Sequence, residues 1–91
     1  MGDAQIDIVK QDFETFQVTV RAKTTTVHTV TLRDDDYQRL AAGKATPEKL
    51  IEKSFEFLLE RESNTSILSR FDLPVIGRYF PEYEKTILKR L

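Results

Sequence analysis

Phe16, Val18, Val20 and Ala22 alternate with Gln17, Thr19, Arg21 and Lys23. Successive side chains of a strand point to opposite faces, so this period of two predicts a β-strand with one buried face. The run "VHTVTL" repeats the pattern, with His28, Val30 and Leu32 on one side and Val27, Thr29 and Thr31 on the other. Only "KTTT" separates the two runs, which predicts an antiparallel hairpin, although the connection lacks the glycine or asparagine of the commonest tight turns. Residues 1–12 are polar with Ile6, Ile8 and Val9 interspersed, a pattern that fits a short edge strand or a loose arm equally well. A lone hairpin is marginal in water, so the strands need a cover.

The pattern then changes to helical spacing. "RDDDYQRLAAG" predicts a short helix with Asp34 or Asp35 as its cap, Tyr37, Leu40 and Ala41 on its inner face and Gly43 at its C-terminal cap. "ATPEKLIEKSFEFLLERE" predicts the main helix, with Thr46 as cap, Pro47 in the first turn and Glu48 at the positive end of the dipole. Leu50, Ile51, Ser54, Phe55, Phe57, Leu58 and Leu59 wrap around more than one stripe of it, so two sides must be covered. In the stretch "SILSRFDLPVIGRYFPEYE", "SILSRF" predicts one or two helical turns capped by Thr65 or Ser66. Asp72 then caps another short helix with Pro74 near its start, and "PEYEKTILKRL" reads as a last helix. The sum is a single α+β domain over residues 1–91: an antiparallel hairpin, with a third short strand as an option, covered by one main helix and several short C-terminal helices.

Composition narrows what such a domain does. The chain has 91 residues, 40% apolar and 32% charged, with six Phe and three Tyr, which is globular rather than disordered. Its net charge of -1 supplies no global field for nucleic acid or an anionic membrane. There are no cysteines, which excludes disulfides, thiol nucleophiles and thiolate metal sites and makes a reducing cytoplasm the expected setting. "MGDAQIDIVKQDF" has early acids and no apolar run, unlike a signal peptide, and no segment approaches the roughly 20 apolar residues of a transmembrane helix. "NTS" at Asn64 matches the glycosylation pattern, which carries no weight in a cytoplasmic protein.

No residue set spells out a reaction, and no cofactor is implied. His28 is the only histidine, and its plainer reading is a strand-end residue at the sheet edge. Asp34, Asp35 and Asp36 point about 100° apart on a helix and cannot converge on one cation, so they read as an acidic first turn. Glu60 with Glu62, and Glu82 with Glu84, diverge on a helix and read as solvated faces. Arg61, Arg70 and Arg78 interleave with Phe71, Tyr79, Phe80 and Tyr83, a mixture that binds single-stranded nucleic acid where charge is in excess; here Glu60, Glu62, Asp72, Glu82 and Glu84 dilute it. The remaining option is a protein partner or self-association, with Arg78, Tyr79, Phe80 and Tyr83 as the residue types enriched at interface centres.

Together, "TPEKLIEKSFEFLLERE" and "SILSRFDLPVIGRYFPEYE" resemble a family of short bacterial proteins of about this length. That resemblance spans roughly residues 28–84, implies a bacterial and cytoplasmic protein, and carries over no catalytic residue. A fainter similarity joins residues 28–60 to ribbon-helix-helix proteins, whose dimeric strands enter the DNA major groove. It implies Thr29, Thr31 and Arg33 as outward strand residues, while Arg70 belongs to the arginine–aromatic form of the nucleic-acid alternative. Three aspartates at the first helix and a competing strand in the same chain depart from that pattern. The expected function is therefore a non-enzymatic bacterial accessory or regulatory domain that binds protein through an aromatic C-terminal face, with nucleic-acid binding as the alternative.

Overall fold

The computed structural model describes residues 4–91. Its sheet has four strands, one or two more than the sequence pattern predicts. Strands β1 (Gln5–Lys10), β2 (Thr15–Arg21) and β3 (Thr25–Thr31) form an antiparallel meander, with Ile6 opposite Val20 and Val18 opposite His28. The segment 5–10 is thus an edge strand and not a loose arm. Strand β4 (Arg70–Asp72) pairs in parallel with β3, Phe71 standing opposite Val30. The helical turns expected for "SILSRF" are replaced by a short 3-10 turn at Asn64–Ser66 and this strand.

Helices α1 (Asp34–Ala41) and α2 (Pro47–Leu59) lie between β3 and β4 in the chain, and a 3-10 turn at Leu73–Val75, α3 (Ile76–Tyr79) and α4 (Tyr83–Arg90) follow β4. Thr46 caps α2 as expected, its Oγ1 accepting from the Lys49 N–H at 3.1 Å, with Pro47 in the first turn. The cap of α1 falls on Arg33, not on Asp34 or Asp35. The three aspartates sit inside the first turn, where they still meet the positive end of the helix dipole. Ala42 already adopts the left-handed conformation at the C-terminus of α1 (φ 50°), one residue before Gly43 (φ 74°), so the turn consumes two such positions.

All the helical cover lies on one face of the sheet. Phe16, Val18, Val20, His28, Val30 and Phe71 are buried on that face. The broad apolar girth of α2 is used on two sides. Phe55 meets Phe71 and His28 on the sheet side, at ring separations of 6.0 and 5.4 Å. Phe57 meets Tyr83 and Phe80 on the other side, edge to face, at 5.4 and 5.8 Å. The opposite face of the sheet, with Gln17, Thr19, Thr29 and Thr31, is left to solvent. No described helix is long and apolar enough to cross a membrane.

Candidate docking groove

The aromatic C-terminal stretch builds one wall of a groove of about 330 Å³. Leu58 and Glu62 at the end of α2 form the other wall. Phe71 of β4 and Ile76 close the floor, and Leu68, Tyr79 and Phe80 stand at the rim. Tyr79 is 66% exposed and Leu68 48% exposed, although both are large apolar side chains in a chain that buries most of its aromatics.

A directed hydrogen-bond chain holds the Leu68 wall in place. The Leu68 carbonyl only accepts, so His28 Nδ1, 2.7 Å away, carries the proton. His28 Nε2 then accepts from Thr26 Oγ1 at 2.8 Å, and Thr26 Oγ1 in turn accepts from Asn64 Nδ2 at 2.9 Å. Asn64 also donates to the Thr24 carbonyl at 2.7 Å. The chain runs Asn64 to Thr26 to His28 to Leu68 and ties the 64–68 connection to β3. The Thr29 N–H adds a bond to the Ser69 carbonyl at 2.7 Å. His28 is therefore buried in the sheet interior, not at an edge, because β4 pairs with the residues that follow it on β3 and Phe55 of α2 and the 64–68 connection cover its ring. Its role is to orient a connection.

The residues singled out at the aromatic face separate. Tyr79 and Phe80 come together in the groove, and Arg78 stands exposed beside them without lining it. Tyr83 is fully buried and belongs to the core, not to the face expected of it. Its hydroxyl lies 2.6 Å from Ser54 Oγ, which itself donates to the Leu50 carbonyl at 2.7 Å. Ser54 has one proton, so Tyr83 must be the donor to Ser54. Burial pushes the Tyr83 hydroxyl well above its ordinary value. Leu68 and Glu62 are the groove residues that sequence reasoning passed over. The signal was the apolar pair in "SILS", which a helical reading of "SILSRF" leaves without a site role, whereas residues 67–69 run as a connection into β4 with Leu68 exposed.

The other candidates are engaged singly. Arg61 lies over the Phe57 ring at 3.6 Å and reaches Glu82 at 3.3 Å. Glu60 takes Arg90 with both carboxylate oxygens at 2.8 Å, and this bond first of all lowers its pKa. Glu84 pairs with Arg39 at 2.6 Å. Glu60 also reaches Arg61 at 3.3 Å, so Arg61 bridges Glu60 and Glu82, whereas Glu82 and Glu84 turn to different cations. Among the described residues, no three His, Asp or Glu side chains gather as a metal site. On the open sheet face, Thr29 stands directly opposite Arg70, while Arg33 lies 3.9 Å from Asp72 and Arg21 2.9 Å from Asp7. Acids thus answer two of the three arginines there. Both edges of β3 are paired within the chain, which leaves no edge for a partner's strand of the ribbon-helix-helix kind.

A groove of this size is at the lower limit for a small-molecule site and accommodates one or two large apolar side chains. It offers an apolar floor, aromatic walls and a single carboxylate, Glu62. No family model, no curated protein and no solved structure matches the chain.

Proposed function

We propose that the chain is a non-enzymatic accessory domain of a bacterial cytoplasm that works by binding another protein through this aromatic groove. The occupant is a short apolar segment of the partner, bearing a cation that meets Glu62 at the groove wall. The observation that carries the reading is the pairing of exposed Tyr79 and Leu68 over an apolar floor, on a connection held by the His28 chain. Exposed apolar residues that share a concavity mark interaction sites, whereas single ones do not. Resemblance of the C-terminal blocks to short bacterial proteins supports the setting.

The test starts with capture from a bacterial lysate on the native chain and on Tyr79→Ala, followed by titration calorimetry with the protein that only the native chain retains. Tyr79→Ala is expected to leave the melting temperature within about a degree, because the side chain is exposed, and to weaken binding about tenfold or more, as truncation of a central aromatic anchor does. A partner that binds both forms equally, or no partner at all, removes the reading. Nucleic-acid binding has no comparable support, since the open sheet face carries acids beside its arginines.

A further inference from the structure

Among the described residues, strand β1 has one neighbour, β2, and its outer edge is unpaired. The Gln11 N–H donates to the Thr15 carbonyl at 2.8 Å, and these residues continue the β1–β2 register beyond Lys10 and Phe16. Backbone groups alternate in direction along an antiparallel strand. Gln5, Asp7 and Val9 therefore bond to β2, while Ile6, Ile8 and Lys10 turn their N–H and C=O groups to the outer edge. The strand has neither proline nor bulge between Gln5 and Lys10, two of the devices that blunt such edges.

At the Ile6 end of this strand, between α2 and the β2–β3 turn, lies a second groove of about 1030 Å³, with Ile6 and Leu59 as its larger apolar residues. Its charged lining is Glu52, Glu56, Glu60 and Glu62 against Arg21 and Lys23; Arg21 is already held by Asp7 at 2.9 Å and Glu60 by Arg90 at 2.8 Å, which leaves three glutamates against Lys23. The excess is acidic. Glu52 meets Lys49 at 4.0 Å and Glu56 meets half-buried Lys53 at 3.2 Å, each pair one turn apart on the same helix, and pairs of this kind are weak and exchangeable.

We propose that the β1 edge and this groove take an extended basic segment of a partner protein as a fifth strand of the sheet. Its main chain bonds to Ile6, Ile8 and Lys10, and its side chains alternate between the two faces of the sheet. On the helix face, lysine or arginine fits both parts of the groove: the stem lies on Ile6 and Leu59, and the head reaches Glu52 and Glu56. A second copy of the chain fits less well. Pairing β1 with another β1 brings two acidic α2 flanks together, and β1 itself supplies Asp7 and a single lysine.

The test is titration of the isotope-labelled full chain with a peptide of about ten residues that alternates threonine and lysine, and with its threonine–glutamate counterpart. The basic peptide is expected to slow amide hydrogen exchange at Ile6, Ile8 and Lys10 about tenfold or more while leaving Tyr79 and Phe80 unshifted. Its affinity should fall about fivefold in Glu52→Gln/Glu56→Gln and fall further in about 0.5 M salt. Ile8→Pro removes an edge donor that β2 does not use, and it should abolish binding. The two glutamate variants carry the test if that proline variant fails to fold. Equal binding of the acidic peptide, or shifts confined to the aromatic groove, overturns the proposal. So does a dimer in which those amides are already protected without peptide, since the edge would then belong to a second copy. Loss of the aromatic-groove function leaves this result untouched, because the glutamates varied do not line that groove.

Discussion

Replacing Ser54 by alanine tests the buried hydroxyl pair more sharply than replacing Tyr83. Both residues are inaccessible to solvent. In Ser54→Ala the Tyr83 hydroxyl keeps its proton and loses its acceptor, and an unsatisfied buried donor costs about 1–3 kcal/mol. Alanine in a helix interior returns about 0.5 kcal/mol of that. In Tyr83→Phe the donor itself is gone. Ser54 still donates to the Leu50 carbonyl, so no buried group is stranded and the cost is that of one ordinary hydrogen bond, about 0.5–1.5 kcal/mol. In the double variant two apolar surfaces face each other, and its cost should be smaller than the sum of the single costs by about 1–2 kcal/mol. For a domain of this size each kcal/mol moves the melting temperature by about 4–8 °C, which thermal unfolding resolves easily. Urea unfolding of the native chain and the three variants gives the cycle. Additivity to within about 0.5 kcal/mol would falsify the donor assignment, and so would a Tyr83→Phe variant less stable than Ser54→Ala.

The same hydroxyl sets an alkaline limit. Its ordinary pKa is 10.0 and burial raises it in the fold, so the unfolded chain ionises first. Its contribution is complete below about pH 10 and is lost as pH rises toward the folded value, about 1.4 kcal/mol being gone one unit above the ordinary pKa. Between about pH 9 and 11 the native chain should therefore lose about 1.4 kcal/mol more than Tyr83→Phe in urea unfolding, and parallel losses would refute the burial argument. At the start of α2, Thr46→Ala should cost about 1 kcal/mol and Thr46→Ser much less, because serine keeps the oxygen that accepts from Lys49. Equal losses in the two variants would show that the cap bond contributes nothing.

Legibility in the sequence followed the length of each repeat. β2 buries alternate residues over its length, β3 buries His28 and Val30 in the same alternation, and Phe16, Val18 and Val20 declare a strand without outside help. α2 announces itself by Thr46, Pro47 and its broad apolar surface. β4 has three residues and one inward side chain, Phe71, so it contains no period to read. Its strand character comes from pairing with Thr29–Thr31, about forty residues upstream, where local propensity has no reach. His28 was misplaced for the same reason, since without β4 the flank of β3 looks like an edge. Of the aromatic groove, Tyr79 and Phe80 were legible by residue type. Tyr83 was not, because only the packing of α4 on Phe57 and Ser54 decides that it faces inward. Glu52 and Glu56 carry no signal in the sequence, because only the packing of α2 on the sheet brings them to the groove that Ile6 lines.

The parallel pairing of β3 with β4 imposes an order of events during synthesis. The first three strands leave the ribosome together and can pair at once, but β3 then waits through both intervening helices before Arg70–Asp72 arrive. During that interval Val30 and the backbone of Thr29–Thr31 face water along an unprotected border, the kind of surface on which nascent chains associate wrongly. A messenger truncated just ahead of that strand would release a chain that keeps most of its apolar residues but lacks the piece that covers this flank of β3. Such a fragment, which also lacks the buried Ile76, Tyr83 and Ile87, is expected in inclusion bodies or on chaperones, and β4 acts as the cover of this one flank of β3.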